Sequence, residues 1–485
     1  MLYSFLSVSF GLILGRLSGF YREIFIAANL GASQTSDLVI LLLTTPDFLV
    51  NLLVGGALSM ALIPEFKSLG KEKAKTLYVQ VLFSSGFMFL IISLLLSINS
   101  NHLLGVLAPG IKNLISIDVE NFFRLSLFSI PFTVLSGVTT AYLHYKEKFL
   151  IASLGTLIFN VIVLIFLKIS ILYNTDILLF VAVGVVFASF FRFLIFNIKM
   201  DLHPIKCLLN KNLISPNLIG RYFQCIFSGG FFFIIPVALR SFSSNFGESE
   251  ISIINYSTKL VEFPLGVLIT VFSVIFFPKL AKIYSEGDKD LFSSIATKIL
   301  CLVFFVSISS MLPLYFHSDY YIGMIFGHSD EFSDSVQCKM SLYLAIYALS
   351  IPMQGVNSML IAALSAQKNT KYPLYSSLLS ILFFIILATY FSFSVKDLLN
   401  FVVLTYLTCT ILLLFFSVKF SVICIDNKIL YIFLINILLV VSAFLYFYFI
   451  ESREYLILFD SVIFLTQSAL TIFLCGRFSL KEKNV

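Results

Sequence analysis

The chain has 485 residues, of which 59% are hydrophobic and only 12% charged, with a mean hydropathy of +1.00 and a formal net charge of +6. No soluble domain of this size has so apolar a composition, so the chain reads as a polytopic membrane protein, and its positive balance is a matter of topology and not of nucleic-acid binding. A bilayer crossing takes about 20 apolar residues. Runs of that kind, about fourteen in all, start near residues 2, 37, 76, 121, 149, 176, 218, 249, 292, 341, 373, 397, 428 and 454. The first run has no small-residue cleavage site and continues into charged helix, so it reads as a span and not as a removed leader.

That first span, Leu2 to Leu30, carries Arg16, Arg22 and Glu23, and charge at membrane depth normally marks a substrate path. Gly11, Gly15 and Gly19 recur every four residues and form a groove down one helix face, which predicts close packing on another helix. Arg16 and Glu23 are seven residues apart and share a face, whereas Arg22 points about 120° away, at about 100° per residue. A structural Arg16–Glu23 pair therefore competes with a second reading. Two arginines against one acid leave net positive charge for an anion, and a guanidinium fork matches phosphate oxygens.

In the second span Asp37 stands at the helix start after Gln34-Thr35-Ser36, where capping of that helix competes with a functional role. Pro46-Asp47 predicts a break that frees backbone groups. Gly55-Gly56 extends the irregularity. The fourth span contains Ser129-Ile130-Pro131, echoed in the tenth by Ser350-Ile351-Pro352. Leu62-Ile63-Pro64-Glu65-Phe66-Lys67 is likewise echoed by Phe276-Phe277-Pro278-Lys279-Leu280. Both echoes are offset by six spans, an even number, so two halves of the same orientation are expected. The predicted architecture is all-α: a six-helix bundle over residues 1–200, a second over 201–420 in parallel pseudo-repeat, and two further helices with a short tail over 421–485. In the eighth span Lys259 is either the i,i+3 partner of Glu262 or a cavity-facing cation beside Pro264.

Sidedness follows from the Lys and Arg residues, which favour short cytoplasmic loops. With the N-terminus inside, most of the 32 fall on the cytoplasmic side, including Lys67, Lys71, Lys73, Lys75, Lys199, Lys206, Lys211, Lys481 and Lys483. The opposite side has Lys112, Arg124, Lys168, Arg240, Lys339, Lys396 and Arg453, and the membrane itself Arg16, Arg22 and Lys259. Both termini are thus expected in the cytoplasm. The seven cysteines are scattered without CxxC pairing, so neither a disulfide framework nor a zinc site is indicated. His102, His317 and His328 fall in predicted outer loops, where solvated imidazoles are expected. No G-x-x-x-x-G-K-[ST] motif occurs, which argues against ATP hydrolysis.

The run Gly15-Arg16-Leu17-Ser18-Gly19-Phe20-Tyr21-Arg22-Glu23, followed by Leu30-Gly31-Ala32, Asp37, Pro46-Asp47, Gly55-Gly56-Ala57 and Ile63-Pro64, resembles the N-terminal signature of the MurJ (MviN) lipid II flippases. Tyr256-Ser257-Thr258-Lys259-Leu260-Val261-Glu262-Phe263-Pro264 is similar to that family's eighth-span block, and Asn369-Thr370-Lys371-Tyr372-Pro373 is a weaker echo. The resemblance implies a MOP-superfamily carrier that moves undecaprenyl-pyrophosphate disaccharide-pentapeptide from the inner to the outer leaflet of the bacterial cytoplasmic membrane by alternating access, without catalysis. It implies Arg16, Arg22 and Lys259 as pyrophosphate contacts and Glu23, Asp37, Asp47, Asn51 and Glu262 as cavity or gating residues. No metal or cofactor is implied; a monovalent cation or the membrane potential would supply coupling. Partners would be the lipid substrate, membrane lipids and cell-wall synthesis proteins, with no nucleic acid.

Departures from the family pattern stand beside these matches. Val50 and Asn51 replace an arginine pair, Gly55 a glutamate, Asp47 an asparagine, Asn369 an aspartate and Lys259 an arginine. Three other readings therefore stay open: a MOP carrier of another polyprenyl-pyrophosphate oligosaccharide or a cation-coupled exporter, a membrane-embedded transferase, and a non-transporting scaffold. A cation-coupled drug exporter would want acids in place of Arg16, Arg22 and Lys259. A transferase would want a DDxxD-type cluster, and the loops contain none.

Overall fold

The computed structural model describes residues 2–53, 57–198, 212–220, 222, 234–266, 277, 279–284, 286–327, 332–367, 369–424, 427–449 and 460. Among the described residues every regular element is a helix, the form in which a segment satisfies its own backbone in lipid. Among the described residues eight helical segments are long and apolar enough to cross a membrane: Lys71–Ile98, Ile117–Tyr145, Phe149–Leu172, Ile177–Asn197, Lys289–Phe316, Asp334–Ala366, Lys371–Tyr390 and Val395–Lys419. The expected span starting near 454 lies outside the described residues except for residue 460, and most of the one starting near 218 lies outside as well. By internal proximity the chain divides into Met1–Asn255 and Tyr256–Val485.

The first unit opens with α1 (Leu2–Leu30) and α2 (Gln34–Leu53), then α3 (Ala57–Ser68), α4 (Lys71–Ile98) and α5 (Ser100–Leu107). Next come α6 (Ile117–Leu127), α7 (Ser129–Tyr145), α8 (Phe149–Ser153), α9 (Gly155–Leu172), α10 (Ile177–Asn197) and α11 (Ile234–Ser243). Helix α12 (Glu250–Pro264) contains the boundary between the units. The second unit continues with α13 (Lys289–Phe316), α14 (Ser318–Phe326), α15 (Asp334–Ala348), α16 (Ile351–Ala366), α17 (Lys371–Tyr390), α18 (Val395–Lys419) and α19 (Asn427–Phe449).

The Ser-Ile-Pro echo marks the same structural event in both units. Ser116 caps α6 by accepting from the Val119 N–H, and the helix is interrupted at Phe128 before restarting as α7. Pro131 cannot donate to the carbonyl four residues earlier. That carbonyl, Leu127 O, instead accepts from Ser93 Oγ of α4 at 2.9 Å. In the second unit the break falls between α15 and α16, with Pro352 at the start of α16. Ser129 and Ser350 each donate their hydroxyl to the carbonyl three residues back, at 2.6 Å in both cases.

The packing order repeats with the break. In the first unit α4 lies against α6 and α7, α7 against α10, and α9 against α10. In the second α13 lies against α15 and α16, α16 against α18, and α17 against α18. Each unit begins this run with a 28-residue helix, followed after one residue by a short helix. Outward faces are apolar, as at Phe87, Leu379 and Phe415, which suits contact with acyl chains.

Pro46 does not interrupt α2, which runs through it as one helix. The expectation of a break there is corrected. Gly55 and Gly56 lie outside the described residues.

Candidate functional site

The glycine stripe of α1 seats that helix on α8 and α9. A Cβ at Gly11 would run into the Ser153 side chain, and one at Gly15 or Gly19 would crowd Thr156 or Asn160. Close approach needs the missing side chains. Its consequence is that Arg22, three residues beyond Gly19, meets Asn160 of α9: Arg22 Nη1 donates to Asn160 Oδ1 at 2.9 Å. Asn160 Nδ2 in turn donates to Gly15 O at 3.3 Å and Ser18 Oγ at 3.1 Å.

Arg22 also pairs with its neighbour Glu23, Nη2 to Oε1 at 2.7 Å, both side chains being buried. Neighbouring helical residues do not ordinarily face each other, so this pairing depends on the long arginine stem and on Asn160 holding the other arm of the fork. Glu23 Oε2 accepts from Asn255 Nδ2 of α12 at 2.8 Å, and Arg240 Nη1 of α11 donates to Asn255 Oδ1 at 3.2 Å. A polar chain thus runs Asn160–Arg22–Glu23–Asn255–Arg240 within the first unit. Arg22 Nε is buried with no hydrogen-bond partner, leaving one donor of the fork uncommitted.

Arg16 is exposed and makes no hydrogen bond or ion pair among the described residues. The expected Arg16–Glu23 alternative is therefore replaced by Arg22–Glu23. The helical wheel ranked backbone directions correctly, but a guanidinium at the end of a long stem reaches across them. The arginines consequently have different situations: Arg22 is neutralised and fixed, whereas Arg16 is an uncommitted cation.

Asp37 is buried and caps a helix, though not its own. Ser33 and Ser36 close the start of α2 reciprocally: the Ser36 N–H donates to Ser33 Oγ at 3.2 Å and the Ser33 N–H to Ser36 Oγ at 3.0 Å. Asp37 is thereby released to accept from the backbone N–H groups of Ser249 at 2.9 Å and Ser252 at 2.7 Å. Those donors stand at the start of α12, Ser249 just before its first residue and Ser252 in its first turn, where a carboxylate also complements the helix dipole. Ser249 adopts φ +71°, a conformation rarely used by residues with side chains, so the carboxylate cap also holds a strained entry.

Asp47 lies within electrostatic reach of Arg192 on α10, and α2 packs against α10. Arg192 Nε is buried without a hydrogen-bond partner. The negative charge that departs from the family pattern is thus set against a basic residue in the sixth span. Asn51 falls in α2, but its side chain, like that of Val50, lies outside the described residues. In the second unit Lys259 Nζ pairs with Glu262 Oε2 at 2.7 Å, the i,i+3 arrangement, with both side chains partly exposed.

Asn160, Asn255, Arg240 and Arg192 were not singled out from the sequence. Arg192 offered the same signal as Arg16, a charge inside an apolar run, but its nearness to the span end let it pass as a loop residue. Asn160 between Phe159 and Val161 is an amide in a strongly apolar span and could have been found by the same cost argument. Nothing in sequence spacing points to Arg240.

The fold is shared with transporters of the MOP superfamily: an inward-facing multidrug resistance MATE transporter aligns over 84% of this chain and 94% of its own, with a TM-score of 0.67 and 11% identity. A solved structure of a lipid II flippase MurJ in an inward closed conformation aligns over 98% of this chain and 99% of its own, with a TM-score of 0.75 and 20% identity. The family model described as Lipid II flippase MurJ matches residues 26–466, and the chain belongs to that family. Among its relatives, a probable lipid II flippase MurJ of Buchnera aphidicola subsp. Acyrthosiphon pisum (strain APS) is 25% identical over 386 residues, covering 78% of this chain and 75% of the relative. One of Rickettsia prowazekii (strain Madrid E) is 24% identical over 389 residues, covering 77% and 75%.

Proposed function

We propose that this protein flips lipid II, the undecaprenyl-pyrophosphate disaccharide-pentapeptide, from the inner to the outer leaflet of the cytoplasmic membrane by alternating access, and that it does so without a catalytic step. A diphosphate head is a dense anion that hydrocarbon rejects, so a carrier must offer cations that are not already spent on internal partners. Arg16 is the observation that carries the reading. It stands exposed and uncommitted on a helix whose neighbouring charges, Arg22 and Glu23, are already matched.

Under this reading Arg16 meets the phosphate oxygens with its fork. Arg22 keeps α1 in register and offers its free Nε. Lys259, in the second unit, supplies a further cation once Glu262 yields it. Glu23, Asp37 and Asp47 act as fixed countercharges, and Asn51 belongs to the same α2 segment. Residues 1–200 and 201–420 serve as the bundles that exchange access, with 421–485 as an addition, and both termini in the cytoplasm. A monovalent cation or the membrane potential drives the cycle, and cell-wall synthesis proteins are its partners. A cation-coupled drug exporter on the same fold is disfavoured by a site whose uncommitted charge is positive.

Complementation of a conditional flippase-deficient bacterium tests this. Wild-type chain restores growth, and Arg16→Ala at matched membrane expression does not. Rescue by Arg16→Ala equal to wild type would overturn the assignment of Arg16, and absence of rescue by well-expressed wild type would overturn the substrate.

A further inference from the structure

Arg192 stands apart from the polar chain that joins Arg22 to Glu23. It lies on the inner face of α10. Val185, Ala188, Ser189 and Phe196, which flank it at helical spacing, are buried, whereas Phe187 and Phe191 turn outward. Arg192 is nonetheless partly exposed, and on that face the exposure opens to space within the bundle and not to lipid. Its stem rests against Gly155 of α9, where a Cβ would stand 3.4 Å from Arg192 Cδ. Among the described residues the guanidinium makes no hydrogen bond or ion pair, and Nε is buried without a partner.

Two observations set Arg192 level with Arg16. Counted from the α1–α2 and α9–α10 corners, both stand about four turns along their helices. Gly155 also precedes Thr156, the residue against which Gly15 is seated, so the two arginines flank one step of α9. Asp47, about four turns into α2 from the same corner, is the charge that acts on Arg192. Helix α2 carries Asp37 and Asp47 and no basic residue, so the cation set against it comes from α10. A guanidinium has five donors and keeps its charge. Leaving all five unbonded at mid-span is costly, and a ligand that brings acceptors removes the cost.

We propose that Arg192 is a further cation of the substrate site, taking an oxygen of the pyrophosphate that Arg16 meets, with Asp47 balancing its charge while the site is empty. The inference rests on the flippase reading for its substrate class. A pyrophosphate presents oxygens on two phosphorus atoms, enough for two forks. Arg16 alone would leave one phosphate without a cation. Asp47 stays in place as the anion arrives and weakens the hold on it, which serves a carrier that must release what it binds. A free anion offers the same group as a lipid headgroup, and the two sources are separable by experiment.

The test titrates full-length protein in phosphatidylcholine nanodiscs with a fluorescent polyprenyl pyrophosphate. Arg192→Gln should weaken binding about tenfold, the effect of one charge-assisted hydrogen bond. Arg192→Lys, which keeps the charge without the fork, should recover part of that loss. Asp47→Asn should tighten binding by up to about fivefold, the range of a partly exposed ion pair, and by less when Arg192→Gln is also present, since both effects run through one contact. Equal affinity in wild type and Arg192→Gln overturns the proposal, as does a lowered thermal midpoint with unchanged affinity, which would make Arg192 structural. Inorganic pyrophosphate is titrated in parallel: weaker binding of it in Arg192→Gln, with lipid binding unchanged, would assign Arg192 to a free anion and overturn its place in the substrate site. If Arg192→Gln does not reconstitute, Arg192→Lys and Asp47→Asn serve, and unmoved affinity in both overturns the proposal. Wild type that binds no lipid overturns the flippase substrate together with this inference, whereas lipid binding that survives Arg192→Gln overturns the inference alone.

Discussion

The two units build the same run of helices and fill it with different polar chemistry. In the first, α7 and α10 are tied by Thr133 and Ser189 at 3.1 Å, and in the second α16 and α18 are tied by Asn357 and Thr410 at 2.9 Å. These neutral bonds belong to the repeated scaffold. The charged pair Arg22–Glu23 instead stands on α1, outside that run, and is held by amides of α9 and α12, Asn160 and Asn255. Two layers can therefore be told apart: neutral hydrogen bonds within the repeated run, and a buried ion pair on α1 that the run meets through Asn160. A lone buried hydrogen bond contributes about 1 kcal/mol, whereas a broken buried ion pair costs several times that, so the two layers should respond differently to mutation.

The largest effect should come from Glu23→Ala, which leaves Arg22 buried without its countercharge and removes the acceptor of Asn255. A loss of about 3–5 kcal/mol is expected from unpairing a buried charge, read as a lowered thermal unfolding midpoint in detergent and a lower membrane level. If Glu23→Ala unfolds like wild type, the charged layer is not structural. Asn160→Ala comes next, at about 1–3 kcal/mol for the unmet Arg22 donor. Its stability should be partly restored by Asn160→Asp but not by Asn160→Leu.

Asn357→Ala in the second unit should cost about 1–2 kcal/mol, because Thr410 and the Tyr406 carbonyl lose a partner. Complementation should survive it in proportion to the protein that remains folded. A complete loss of rescue at normal membrane level would place function in the neutral layer and break the distinction. Arg16→Ala should change stability least, by less than about 0.5 kcal/mol for an unpaired exposed side chain, while abolishing rescue. Lys259→Gln should likewise cost under about 1 kcal/mol, since its partner is partly exposed, and should reduce rescue without abolishing it.

Much of the scaffold was readable because its causes are local. The Gly11-Gly15-Gly19 stripe announced a close helix contact, and α1 packs on α9 through it. The Ser-Ile-Pro echo announced a repeated event, because a proline must break the same hydrogen bond wherever it falls in a helix. Site pairings were less readable. Spacing placed Arg16 beside Glu23, but the partner is Arg22, since a flexible stem and an amide on another helix outweigh backbone direction. Asp37 was recognisable as a capping residue, yet which helix it caps depends on where the chain brings residues 249–252. His317 read as solvated because a loop position says nothing of a carboxylate 143 residues away.

Composition and local pattern by themselves determined that this is a polytopic helical membrane protein of repeated design, with charge concentrated on its first and eighth spans. Those properties follow from transfer free energies and helix geometry, which act residue by residue. Tertiary structure alone decided which charges are spent and which remain available: Arg22 against Glu23, Asp37 on the start of α12, Asp47 opposite Arg192, His317 with Asp460. An ion pair depends on distance and burial in three dimensions, and residues far apart in the chain acquire both only when the helices pack.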